Sequence, residues 1–359
     1  MTNFDIAPQR LHNQSITQPA LTTPAAVVDS LVAIQAQDYA NALWAVGLRM
    51  QAATQQTVEQ AISSREIVRT WPMRGTLHFV AAADVRWLLA LLTPRVVASA
   101  AGRHKQLELD EATFTRAAAL FTSALQDNGQ LTRQEMMAVL ERGGIATSGQ
   151  RGYHILRWAA QTGLICFGPR QGKEDTFVLL DEWLPGGKRL DREESLAELT
   201  RRYFSGHGPA TVQDFMWWSG LTAVDARNGL EMVEAQLVQE RLDGQTYWFS
   251  PSLSTTKAVS PTAHLLPAFD QYLLGYRDRS AVLDPVQATK IVPGRNGVFK
   301  PIIVINGRVT GTWKRILRQT KAVVSFDPFE PLSPAQMESI VAAAAGYGRF
   351  LELPVEIGR

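Results

Sequence analysis

One order of elements occurs twice along this chain, and it constrains the fold more than any single motif. Around Gly129 the sequence reads NGQLTRQEMMAVLERGG, in which Thr132 followed three residues on by Glu135 has the spacing of a capping box opening a short helix. SGQRGYHILRWAAQTG follows, with Ile155, Trp158, Ala159 and Thr162 at helical spacing and Gly163 as a stop signal. LICFG, the turn PRQGKED and TFVLL then read as two strands and their loop. From Gly208 the order returns: GPATVQDFMWWSG with cap signals at Thr211 and Asp214, LTAVDARNGLEMVEAQ with Thr222 and Asp225, and LVQERLDGQTYWF turning at Asp243-Gly244. A further helix precedes each copy, Glu111 to Asp127 and Glu193 to Phe204. Three helices and a hairpin make the winged helix-turn-helix plan.

A third, less regular copy is expected at the front. Thr23-Pro24 is an N-cap with proline at the first helical position, TVEQAISS reads as a second helix, and IVRTWPMRGTLHFV as a hairpin turning at Met73-Arg74-Gly75. After about Thr255 the pattern becomes strands interrupted by proline: FKPIIVI, the turn Asn306-Gly307, RVTGTWKRI and AVVSF, closed by a helix from about Ser333 to Ala345. The expected fold class is α+β, with tandem winged helix-turn-helix modules at 1–108, 109–190 and 191–255 and a mostly β unit at 256–359. Winged helices also serve as protein-binding modules, so this plan alone does not settle function.

With 45% apolar and 19% charged residues over 359 positions, the chain has ample material for packed cores. Its net charge is only +2, so a polyanionic partner must be argued from where the charges sit. Between Pro285 and Phe326 there is no Asp or Glu, but there are eight cations: Lys290, Arg295, Lys300, Arg308, Lys314, Arg315, Arg318 and Lys321. Arg142 to Lys173 holds five cations, Arg151 and Arg157 among them, and no acid. The equivalent helix of the next module carries Asp225, Glu231 and Glu234 against Arg227, which argues against its lying on phosphates. A basic surface confined to some modules suits a protein that grips duplex DNA; the plainer alternative is a solvated sheet edge protected by Lys and Arg.

A single cysteine, Cys166, excludes an internal disulfide, and the six histidines show no paired metal-ligand spacing, so neither a metal nor another cofactor is expected. The start lacks the order of a signal peptide and no apolar run is long enough to span a bilayer, which reads as a soluble protein of the reducing cytoplasm. Nucleophile elbows, phosphate loops and dinucleotide fingerprints are missing. The remaining candidates are three. AIQAQDYAN places Gln35 and Gln37 two apart, able to point the same way if the backbone there is extended. WPMRGTLHF sets Arg74 at a turn with Thr76 and His78 on one strand face, although a lone histidine is more often structural. LLPAFDQYLLGYRDR gathers Asp270, Arg277 and Arg279, whose default reading is an ionic network tying domains together.

In that order IQAQ, TWPMRGTLHFV, LLPAFDQYLLGYRDR and the strand ending in GTWKR resemble the signatures of helix-turn-helix family 42, the AlkZ and YcaQ superfamily of DNA glycosylases, and the resemblance covers nearly the whole chain. It implies a C-shaped body around a basic DNA channel and excision of N7-alkylated purines, interstrand crosslinks included. The family's motif is Gln, a middle residue, then Gln in the AlkZ-like branch or Asp in the YcaQ branch. Gln35, Ala36 and Gln37 match the AlkZ-like form, which is associated with self-resistance to DNA-alkylating natural products. By the same resemblance Gln35 and Gln37 are the catalytic pair. Arg74, His78, Arg151, Arg157, Asp270, Arg277, Arg279, Arg308, Lys314 and Arg315 bind DNA or position the pair. The expected partner is double-stranded DNA bearing alkylated purines, met by a monomer at the nucleoid. No lysine lies near the motif, the nearest being Lys105, so a Schiff base and strand cleavage are not expected. The rival expectation is a non-catalytic winged-helix DNA binder, a transcription regulator or an architectural protein.

Overall fold

Short polar signals open the helices that organise the fold. Thr23, Thr132, Thr211, Thr222 and Ser333 each accept a backbone N–H in the first turn, starting helices at Pro24–Leu31, Arg133–Arg142, Val212–Ser219, Ala223–Val233 and Pro334–Leu351. The capping box read at Thr132/Glu135 is closed, and the cap signals at Thr211 and Asp214 form a second one. The last helix runs a turn and a half beyond the expected Ala345, because AAAAGYGRFL keeps supplying buried positions, among them Tyr347 and Phe350. The computed structural model describes residues 5–251, 262–294 and 296–358. The expected boundary at 255/256 and Arg295 lie outside the described residues.

The chain forms two compact units, Met1–Glu59 with Leu196–Arg359, and Gln60–Ser195. The division falls inside the segment 1–108 read as one module, so the first part of that segment shares a core with residues far along the chain.

The Gln60–Ser195 unit has the order helix Glu111–Asn128, strand Leu131–Thr132, helices Arg133–Arg142 and Arg151–Gln161, then strands Ile165–Phe167 and Thr176–Leu179. Its strands are hydrogen-bonded in the order Thr76–Ala81, Ile67–Met73, Ile165–Phe167, Thr176–Leu179, Leu131–Thr132, each neighbour antiparallel. Ile67–Met73 is buried along its whole length, Arg69 and Thr70 included, so it reads as a continuous run rather than an alternation. Arg69 keeps its charge company with Asp175 at 2.9 Å. Phe114, Phe121, Met136, Ile155 and Phe177 fill the space between sheet and helices.

In the other unit, Ala263–Leu266, Ile302–Ile305, Arg308–Leu317 and Ala322–Pro328 pair antiparallel in that order. Val355–Ile357 adds to the last strand in parallel. A parallel neighbour needs a crossover, and the Pro334–Leu351 helix supplies it. The turn at Asn306-Gly307 has both residues at positive φ, +51° and +84°, the backbone that a two-residue hairpin of this hand demands. Tyr272, Leu273, Val282, Ile302 and Val304 form the core with Ala7 and Leu11 of the first helix. Beside that core lies a buried polar network. Arg10 stacks 3.5 Å from the centre of the Tyr276 ring, pairs with Asp214 at 3.7 Å and donates to the Pro209 carbonyl. Charges this deep persist only when paired and hydrogen-bonded.

Candidate active site

The Pro24–Leu31 helix stops at Val32, which sits at φ +64°, ψ −49°, a strained region for a β-branched residue. The break turns the chain into a three-residue strand, Ala33–Gln35. From there exposure alternates: Gln35 is half-buried, Ala36 buried and Gln37 exposed. An extended segment with the two amides on its outer side gives that alternation, and a small middle residue is what the buried side accepts. Asp38 then caps the Tyr39–Gly47 helix by accepting the Asn41 N–H at 3.0 Å. Gln37 therefore stands immediately before a helix start.

Contacts along its whole length hold that helix. Near its beginning, Arg315 donates to Asn41 Oδ1 at 2.7 Å, while its guanidinium lies 5.5 Å from the Tyr347 ring centre. In its middle, Trp44 donates to the Leu265 carbonyl at 2.8 Å and meets Tyr347 edge-on, ring centres 5.1 Å apart. Gly47 approaches Phe350 so closely that a Cβ there would come within 2.3 Å of the ring. Just past its end, Arg49 clasps both oxygens of Asp270 at 2.8 and 2.9 Å and also donates to Gln14 and to the Ala45 carbonyl. Burial pushes the Tyr347 hydroxyl up to about 12, against the opposing influence of Arg315.

Asp270 is thus a buried framework residue: besides Arg49 it caps the short Gln271–Leu274 helix through the Tyr272 N–H. Its neighbours in sequence go elsewhere. Arg277 is exposed, and its backbone N–H donates to Asp214 Oδ1. Arg279 donates to the Leu273 carbonyl and stacks near Phe299 and Trp217, at 5.1 and 5.7 Å. Arg308 and Lys314 are exposed on the long Arg308–Leu317 strand. Lys314 and Arg315, being consecutive, project to opposite sheet faces.

In the Gln60–Ser195 unit, Arg74, His78 and Arg157 come together at the Arg74-Gly75 turn. Gly75 has φ +74° and lies under Arg157; a Cβ would be 2.7 Å from the Arg157 guanidinium. His78 is fully buried, and its Nδ1 lies 3.0 Å from the Thr76 carbonyl, so Nδ1–H donates and Nε2 is left as an acceptor. Burial first and the Arg74 charge second bring its pKa down to about 3, which keeps the ring neutral. Arg151 stands apart from this group, with its guanidinium on the carbonyls of Ala146, Leu107 and Glu108.

Asp38, Asn41 and Arg49 escaped the sequence reading. The spacing of Asp38 to Asn41 is that of a cap three residues from its N–H, a legible signal; Arg49 had none, since its partners are 35 and 221 positions away. Among the described residues no group of three His, Cys, Asp or Glu side chains is placed to hold a metal ion. None of their helices is long and apolar enough to cross a membrane. The one cysteine, Cys166, is buried, and burial raises its thiol to about 12.

Comparison with known proteins gives a consistent result. The family model described as DNA glycosylase AlkZ-like matches residues 28–350. An interstrand DNA cross-link repair glycosylase of Streptomyces sahachiroi is 27% identical over 372 aligned positions, covering 97% of this chain and 96% of that protein. The solved structure of Streptomyces sahachiroi DNA glycosylase AlkZ superposes with a TM-score of 0.81 at 24% identity, covering 99% of this chain and 98% of the other, and so shares its fold. The family match spans the glutamine motif, the arginine hairpin and the buried Asp270, and by it this chain belongs to the AlkZ-like DNA glycosylases, enzymes acting on N-glycosyl bonds.

Proposed function

We propose that the enzyme is a monofunctional glycosylase that hydrolyses the N-glycosidic bond of N7-alkylated purines in duplex DNA, interstrand crosslinks included, and leaves an intact strand with an abasic site. Gln35 and Gln37 are the catalytic pair. A carboxamide cannot serve as a general base near neutral pH, so these side chains orient a water and the deoxyribose by hydrogen bonding. An N7-alkylated guanine already carries positive charge and departs without needing a proton. Placing water beside the oxocarbenium-like centre then provides most of the rate. The observation that carries this reading is the rigid seating of the motif: a strained turn at Val32 before it and a helix fixed by Arg315 and by the Arg49–Asp270 pair after it. Asp270 and Arg315 act as positioning residues.

The modules that hold the duplex are winged helices in this reading. The order helix, strand, helix, helix, hairpin over 111–179 supports one such module, and the helices and hairpin over 192–249 a second. Arg308, Lys314 and Arg277 are exposed cations suited to phosphates, and the protein works as a monomer on one lesion. A crosslinked base stays tethered to the opposite strand, so the lesion is read in an open groove without full extrusion. The test is a duplex carrying a single defined crosslink. Conversion to separable strands, with breaks only after alkali, is expected; breaks without alkali, or salt-sensitive binding with no conversion, would return the reading to a lyase or to a non-catalytic DNA binder.

A further inference from the structure

Behind the helix that follows the glutamine motif, Arg49 is held by more than Asp270. Four hydrogen bonds fix its fork: two to Asp270, one to the Ala45 carbonyl near the end of the Tyr39–Gly47 helix, and one of 3.0 Å from Nη2 to Gln14 Oε1. Gln14 is as buried as Arg49, and its Nε2 donates to the Tyr276 hydroxyl at 2.9 Å. Tyr276, the last tyrosine of LLPAFDQYLLGYRDR, is fully buried. It donates in turn, at 2.6 Å, to the carbonyl of His207, which ends the Arg192–His207 helix. The direction of this chain is forced. A guanidinium has no acceptor and a carbonyl no donor, so the Gln14 oxygen faces Arg49, its nitrogen faces Tyr276, and the phenol accepts on one side and donates on the other. Burial raises the Tyr276 hydroxyl to about 12, so it keeps the proton that it donates. The far end is anchored as firmly. Arg10, bonded to the Pro209 carbonyl, stacks 3.5 Å from the centre of the Tyr276 ring. Its ionic partner Asp214 accepts the backbone N–H groups of Thr211, Arg277 and Asp278.

We propose that Tyr276 and Gln14 are positioning residues for base excision, which set the guanidinium plane of Arg49 and through it the placement of Gln35 and Gln37. The inference rests on the glutamines being the catalytic pair. Arg49 grips the Tyr39–Gly47 helix near its end, and Gln37 stands immediately before the cap at its start. A helix of nine residues is about 13 Å long and rigid enough to carry a displacement from one end to the other. A misplacement of about 1 Å at a reacting group costs up to ~100-fold in rate. Without the phenolic hydroxyl, the Gln14 amide is tethered at Arg49 alone, and its oxygen is no longer held in the plane of the fork. Tyr276 and Gln14 touch neither base nor sugar in this account; they act through Arg49.

The test is single-turnover release of 7-methylguanine from a labelled duplex, with enzyme in excess, by the wild type, Tyr276→Phe, Gln14→Met, the double variant and Gln14→Glu. Tyr276→Phe keeps the ring beside Arg10 and removes one oxygen. Its rate constant should fall ~10-fold while its affinity for the alkylated duplex stays within ~2-fold of the wild type. Gln14→Met should lose a similar factor, and the double variant no more than either change alone, because both break one chain. Gln14→Glu, which keeps an acceptor facing Arg49, should recover at least ~3-fold of what Gln14→Met loses. A merely structural role would lower the amplitude of release or the urea midpoint and leave the rate constant of the folded fraction unchanged. An unchanged rate constant in Tyr276→Phe, losses that multiply in the double variant, or a Gln14→Glu as slow as Gln14→Met would overturn the inference alone. A wild type that releases no base would overturn it together with the glycosylase reading on which it rests.

Discussion

Replacing Asp270 by alanine should be among the most damaging single changes that leave the glutamine motif itself intact. Arg49 and Asp270 are each about 1% exposed at the side chain and joined by two charge-assisted hydrogen bonds. Deleting the carboxylate leaves a buried guanidinium with only Gln14 and the Ala45 carbonyl to hold it. Removing one partner of such a pair costs about 3–5 kcal/mol, and the lost cap on the Gln271–Leu274 helix adds about 1 kcal/mol. Two remaining acceptors soften the loss, so about 4 kcal/mol is expected. For a unit of this size each kcal/mol moves the melting temperature by roughly 2–4 °C, giving a drop of roughly 8–16 °C. The assay is a double-mutant cycle of Asp270→Ala, Arg49→Met and Arg49→Met/Asp270→Ala, followed by urea melts. The pair removed together should cost at least ~2 kcal/mol less than the sum of the single changes. A fall of under ~1 kcal/mol in Asp270→Ala, or strict additivity in the cycle, would refute the view that this ion pair fixes the end of the motif's helix.

Further outcomes follow from the same geometry. Arg315→Met, which loses the bond to Asn41, should lower the excision rate at least ~10-fold in single-turnover assays, whereas Arg308→Ala and Lys314→Ala should weaken undamaged and damaged duplex alike and each reduce the salt slope of binding by about 1. Gly206→Ala would set a Cβ 2.2 Å from the Ser30 carbonyl oxygen, a backbone clash costing about 1–3 kcal/mol and read as a lowered urea midpoint. His78 and His207, held near 3, and His264, held near 4, remain neutral in the folded protein while the unfolded chain takes up protons below pH 6.5. Their contribution is therefore fully present above pH 6.5 and is lost as pH falls, to about 4 for His264 and to about 3 for His78 and His207, by about 1.4 kcal/mol per pH unit for each histidine. Urea midpoints at pH 7, 6 and 5 should fall accordingly, and a flat series would contradict the buried neutral rings. Excision of 7-methylguanine should be little changed in Asp38→Asn, whose side chain can still cap the Tyr39–Gly47 helix; a fall of ~100-fold or more in that variant would make Asp38, not the glutamines, the group that activates water.

Where a local signal and the folded arrangement coincide, the chain was legible. The caps at Thr23, Thr132, Thr211 and Thr222 and the turns at Arg74-Gly75, Asp243-Gly244 and Asn306-Gly307 depend on residues within four positions of one another. The Tyr39–Gly47 helix was not legible from periodicity, because seven of its nine residues are buried and a helix enclosed on all sides shows no apolar stripe. Nor was the parallel pairing of Val355–Ile357 with Ala322–Val324, or the joining of residues before Glu59 to those after Leu196, since both depend on contacts far apart in sequence. The same limit applies to the site. Gln35 and Gln37 stood out through a family motif, yet what seats them, Arg315 on Asn41 and Arg49 on Asp270, joins residues 274 and 221 positions apart. Asp270 was visible as an ionic residue, but its partner was not among the arginines beside it in sequence.

The most direct test is single-turnover release of 7-methylguanine from a labelled duplex by the wild type, Gln35→Ala, Gln37→Ala and the double variant, each with an unchanged urea midpoint. Release by the wild type, alkali-labile sites in equal yield, and a fall of at least ~100-fold in the double variant are expected for water held by the two amides. Undiminished release by the folded double variant would place the catalytic groups elsewhere and contradict the central role given to Gln35 and Gln37.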